Sequence, residues 1–145
     1  MNQRRTDAAR LAELAASSQR AESAAAQGLI ADFVAELKAR QVAPTPLRAH
    51  TLTGRSVKTD RLGWYLNMAK SVAIGEDGSY YLLIVPATWR TRFFGAAIQP
   101  SAPPLIVGRG GRDGEGGELR VLLAAALEAY APNPPHATQP DTGTV

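Results

Sequence analysis

The chain has 145 residues, 45% apolar and 20% charged, which is enough to bury one core and too few for two. It has no cysteine, which excludes a disulfide scaffold, a thiol nucleophile, an iron–sulfur cluster and any zinc site built on thiolates. Sixteen Lys and Arg against thirteen Asp and Glu leave a net charge of +3, too small an excess to announce a nucleic-acid binder by itself.

The first residues are basic, as in a signal peptide, but Arg10, Glu13, Gln19 and Arg20 fall where an apolar stretch is required. No segment approaches the ~20 apolar residues of a membrane span. The expectation is a cytoplasmic chain with no membrane partner.

Residues 6 to 40 contain no proline and are rich in alanine, so propensity alone predicts helix. Leu29, Ile30, Phe33, Val34 and Leu37 recur at spacings of three and four and predict a face that packs on a core. Residues 8 to 26 offer only Leu11 and Leu14 as large apolar side chains, followed by Ser18, Ala21 and Ala25, a thin face suited to a close partner helix. A continuous helix over residues 6 to 40 is about 50 Å long, longer than such a domain is wide, so part of it should project, with Gly28 a natural place for a break. Two readings of the arm are open: an Ala-rich segment that is helical only part of the time, or an oligomerisation or docking helix.

Pro44 and Pro46 end the helical region, and short runs with turn signals follow. Strands are predicted over residues 47–53, 62–67, 72–75, 80–85, 96–99 and 105–107. The clearest pair is the hairpin over residues 71–85, turned by Asp77 and Gly78. Both alternating sets of residues 80–85 are apolar or aromatic, which predicts a strand covered on both faces at the centre of the sheet. Residues 86–95 read as a short helix, with Pro86 at its first position, Gly95 after its last, and Trp89 and Phe93 four apart. Their alternative is a further strand carrying Arg90 and Arg92 on one face. The apolar spacing of Leu119, Leu122, Leu123, Ala126, Leu127 and Tyr130 predicts an amphipathic helix packed on the sheet. Residues 132–145, with Pro132, Pro134, Pro135 and Pro140, predict a disordered tail.

The glycine-rich stretch over residues 108–117 lies between an apolar run and a helix, where phosphate-cradling loops sit. It lacks the Lys and Ser/Thr of a P-loop, and Asp113 stands where a dinucleotide fingerprint needs glycine. It reads as a turn feeding the last helix; Arg109, Gly110, Gly111 and Arg112 are its candidate anion contact. Asp113, Glu115 and Glu118 do not follow a calcium-loop pattern, so no metal site is predicted. The histidines are His50 and His136, the latter in the expected tail, and there is no Gly-x-Ser-x-Gly, so neither an enzyme nor a cofactor is expected.

The basic part is the sheet region, where Arg48, Arg55, Lys58, Arg61, Lys70, Arg90 and Arg92 are interleaved with Trp64, Tyr65, Tyr80, Tyr81 and Trp89. That mixture suits single-stranded nucleic acid, although Trp64, Tyr80 and Tyr81 are also what a small sheet buries.

The expected fold is α+β: an antiparallel sheet of four to six strands packed against a C-terminal helix and the distal half of a long N-terminal helix. Residues 1–43 form a helical arm, 44–131 the α+β domain with its last helix over 118–131, and 132–145 the tail. The preferred function is a small non-enzymatic accessory or protein-interaction protein. It self-associates or docks a protein partner through Leu11, Leu14, Ser18, Ala21 and Ala25. A nucleic-acid binder using Arg48, Arg55, Lys58, Arg61, Arg90 and Arg92 is the alternative, and an anion or nucleotide binder at the glycine-rich loop is a third.

Overall fold

The alanine-rich start of the chain forms one helix, α1 (Asn2–Ala39), in the computed structural model, which describes residues 2–108 and 117–130. Its 38 residues span about 57 Å at 1.5 Å per residue. Ala26, Ile30, Phe33, Val34 and Leu37 are buried, whereas Leu11 and Leu14 are 67% and 61% exposed. The part of α1 from about Glu22 onward, nearly half of it, therefore belongs to the domain and the rest leaves it. Gln41, at φ 58°, closes the helix in a Schellman arrangement, with Val42 N–H donating to Leu37 C=O at 2.9 Å and Gln41 N–H to Lys38 C=O at 3.0 Å.

The break expected at Gly28 does not occur, because the helix runs through it. Gly28 is exposed, and a Cβ there would meet nothing within 4 Å. Nothing local rewards the glycine, so Gly28→Ala is expected to stabilise the chain by about 0.5–1 kcal/mol, read as a higher urea midpoint at unchanged slope.

Five strands follow: β1 (Thr45–Thr51), β2 (Ser56–Tyr65), β3 (Val72–Gly75), β4 (Tyr80–Leu82) and β5 (Ile84–Val85), ordered β4-β3-β2-β1-β5. All pairs are antiparallel except β1 with β5. The hairpin turn forms as expected: Gly78 takes φ 83°, and Asp77 Oδ1 accepts from Ser79 N–H at 3.0 Å.

Residues 80–85 are not the central strand. They bend at Leu83 and supply both edges of the sheet. Leu83 N–H donates to Ser71 C=O at 2.8 Å, and its C=O accepts from His50 N–H at 2.6 Å. One short stretch of chain thus borders β3 on one side and β1 on the other, so the sheet curls into a small barrel and its edges are satisfied. The bend leaves Leu82 and Ile84 outside, 52% and 56% exposed, against the expectation that both faces of this segment are covered. The strand expected over residues 96–99 reduces to a parallel bridge between Ala96 and Thr59, secured by Ala96 N–H to Lys58 C=O at 2.7 Å.

The pleat divides the core in two. Leu47, Ala49, Val57, Ala73, Tyr81 and Leu83 fill the barrel interior, with Ala96 and Ile98 as its plug. Trp64, Leu66, Val72, Ile74 and Tyr80 face the other way, onto α1 and the amphipathic helix α3 (Leu119–Ala129) with its buried Leu119, Leu123 and Ala126. Tyr130 ties α3 to β2: its hydroxyl accepts from Tyr65 N–H at 3.0 Å and donates to Tyr65 C=O at 3.2 Å. Burial raises the Tyr130 phenol pKa, opposed by its hydrogen bond to Tyr65.

Burial alone pushes the Tyr80 phenol from 10.0 up to about 12. A raised folded-state value means that the contribution is intact below the unfolded value and is lost as pH rises through the folded one. Between pH 10 and 12 stability should fall by about 2 kcal/mol, and Tyr80→Phe should blunt that fall. Urea midpoints across that range for the two chains check this; equal falls would contradict it.

The two-residue strands β6 (Ile106–Val107) and β7 (Gly117–Glu118) pair antiparallel. Leu119 N–H donating to Leu105 C=O at 2.7 Å carries the pairing on into α3. They bracket the glycine-rich stretch. Its candidate contacts Arg109, Gly110, Gly111 and Arg112 lie outside the described residues, as does the tail expected over 132–145. No described helix is long and apolar enough to cross a membrane.

Candidate functional site

Among the described residues, two surfaces gather several of the apolar side chains that the core does not use. The first is the free part of α1. At 100° per residue the stripe of Leu11, Leu14, Ser18, Ala21 and Ala25 lies about 120° around the helix from the buried face of Ile30, Phe33 and Leu37. It is not an extension of the core contact, and all five of its residues are exposed. The domain's hold on α1 near this stripe comes from between the stripe and the buried face, where Leu105 N–H donates to Glu22 Oε1 at 3.1 Å. The stripe's helical line runs on past Ala25 to Asp32 and Glu36, both exposed, while the arm begins with Arg4 and Arg5.

The second surface is α2 (Trp89–Phe94). Thr88 caps it reciprocally with Thr91: Thr91 N–H donates to Thr88 Oγ1 at 3.3 Å, and Thr88 N–H to Thr91 Oγ1 at 3.0 Å. Pro86 therefore lies ahead of the cap and not at the first helical position. Gly95 ends the helix at φ 79°, where a Cβ would press on Lys58 C=O at 2.8 Å, so only glycine lets the chain return to β2 here. None of the six side chains of α2 is buried, and Trp89, Phe93 and Phe94 are 65%, 72% and 81% exposed. The helix expected from the spacing of Trp89 and Phe93 forms, but it packs neither ring into the barrel, which Ala96 and Ile98 plug.

The structure separates the six predicted basic residues into two groups. Arg55 and Arg92 line a groove of about 310 Å³ on one side of α2, with Thr51 and Phe93. Lys58 and Arg90 line one of about 830 Å³ on the other, with Asp60 and Phe94. Trp89 is the ridge between them. Arg90 and Arg92 lie over the Trp89 and Phe93 rings, 5.8 and 5.9 Å from their centroids. Arg48 and Arg61 stand apart. The first donates through Nε to Ser56 Oγ at 2.7 Å; the second lies over the Tyr81 ring at 5.6 Å and beside Asp60 at 3.8 Å. Of the aromatics first considered for stacking, Trp64, Tyr80 and Tyr81 are buried and only Trp89 is well exposed.

His50 is half-buried on β1, and the nearby hydroxyls are engaged in a turn: Thr51 and Thr53 share a hydrogen bond of 2.9 Å, and Thr51 Oγ1 accepts from Arg55 N–H at 3.1 Å. Among the described residues no group of three or more His, Asp or Glu is placed to hold a metal ion. No protein-family model, curated protein or solved structure matches the chain.

Proposed function

We propose that this is a non-enzymatic interaction protein that self-associates by antiparallel pairing of its α1 arms. The observation that carries the reading is the departure of residues 2–21 from the domain as a helix about 30 Å long with both leucines on an open face. Helices in proteins draw most of their stability from packing an apolar face, and a partner surface would supply the packing that this part of α1 lacks.

A second copy suits the stripe. Its large side chains, Leu11 and Leu14, occupy one end and its small ones, Ala21 and Ala25, the other, with Ser18 midway. Parallel arms would set Leu against Leu and Ala against Ala, which no single interaxial distance satisfies. Antiparallel arms set Leu11 against Ala25 and Leu14 against Ala21 at uniform separation, with Ser18 facing Ser18. The same register brings Arg4 opposite Asp32, which is exposed on the domain portion of the other α1. Sedimentation equilibrium of the full chain tests the proposal: a monomer–dimer equilibrium is expected, shifted to monomer by Leu14→Glu. A chain that stays monomeric at all concentrations would overturn it.

A further inference from the structure

The geometry points to α2 and its two flanking grooves as a binding site for single-stranded nucleic acid. It uses none of the arm's residues. Three aromatic rings project from one six-residue helix that buries nothing, and four cations, Arg55, Lys58, Arg90 and Arg92, stand among them. The carboxylate lining these grooves is Asp60, which accepts from Ile98 N–H at 3.3 Å and sits 3.8 Å from Arg61. The surface is therefore cationic where it is aromatic, the pairing that a strand of stacked bases and phosphates requires.

The arrangement favours unpaired bases over the other anionic surfaces such a patch attracts. Insertion into a bilayer wants the rings on one side and the cations on a rim. Here Arg90 projects between Trp89 and Phe94 around the helix, and both arginines lie over ring faces, so cations and rings share one surface. Trp89 and Phe94 meet edge to face, centroids 6.3 Å apart and planes at 71°. Trp89 nonetheless remains 65% exposed beside both grooves, and a duplex, with its bases already stacked, presents no free face to it. Both grooves have volumes of the size that ligand moieties fill.

The two tryptophans make the test direct, because Trp64 is 1% exposed and Trp89 is 65% exposed. Titrating the full chain with an oligothymidylate is expected to quench the Trp89 emission while Trp64 remains as an internal reference. Anisotropy of the labelled oligonucleotide should then show Trp89→Ala weakening binding by about 5- to 100-fold. Arg90→Gln and Arg92→Gln should each flatten the log–log salt dependence by about 0.7. Since α2 buries no side chain, these variants should melt with the parent; should Trp89→Ala not fold, the two arginine variants decide. Duplex DNA and vesicles of phosphatidylglycerol are the comparison arms, expected to bind more weakly. The proposal is overturned if the oligothymidylate does not bind, if duplex or vesicles bind as well or better, or if the substitutions leave affinity and salt slope unchanged.

Discussion

Phe33→Ala is expected to remove about 3–5 kcal/mol of folding stability, the range for truncating a large buried aromatic. Phe33 is 2% exposed, in the layer where α1 meets Trp64, Val72 and Ile74 on one side and Leu119 and Leu123 on the other. Alanine would leave a cavity between three elements that are each anchored elsewhere and cannot easily collapse into it. The informative comparison lies within the same helix. Leu11→Ala, at a residue two-thirds exposed, should change the stability of the monomer by no more than about 0.5 kcal/mol. Urea unfolding at low protein concentration reads both, and comparable losses would mean that the arm is held against the domain.

The second large effect is on association. In a two-fold dimer each leucine is buried twice, so Leu11→Glu or Leu14→Glu removes the burial of two side chains, worth about 3–6 kcal/mol together, and introduces two carboxylates. That predicts a dissociation constant weakened by on the order of a hundredfold or more. Helicity should follow. The free part of α1 has no packed face in the monomer, so if pairing supplies one, the far-ultraviolet circular dichroism of the parent should weaken on dilution through the dimer constant. That of the Glu variants should be weaker throughout and insensitive to concentration. Fully helical, concentration-independent spectra would show that pairing contributes nothing to the arm.

How far the chain could be read in advance follows from the range of the interactions involved. The inner part of α1, the turn at Asp77 and Gly78, and α3 rest on local periodicity and turn chemistry, and all appear where the residues place them. The continuation through Gly28 was misread because one glycine costs less than the alanines around it supply. Barrel closure was hidden because it depends on Leu83 bonding to Ser71 and His50, and no pattern along residues 80–85 shows that they must serve two neighbours.

The α2 surface was half legible. Arg90, Arg92 and Trp89 stood out by type, and the four-residue spacing of Trp89 and Phe93 marked a helix without showing which way it faces. A helix confined between Pro86 and Gly95 is too short to bury one face and shield another, and Trp89, Phe93 and Phe94 together were the signal of an outward surface. The separation of Arg48 and Arg61 from the other four cations was not readable, since it depends on which side of the curled sheet each strand position faces.

Antiparallel pairing of α1 arms about Ser18, as proposed, can be tested directly because the chain has no native cysteine. In Ser18→Cys the introduced thiol is the only one in the chain. Antiparallel pairing places two copies of it face to face, so mild oxidation should convert the protein almost completely to a covalent dimer, while Gln3→Cys under the same conditions should remain monomeric. Efficient cross-linking of Gln3→Cys, or none at position 18 at concentrations where the parent is dimeric, would contradict antiparallel pairing.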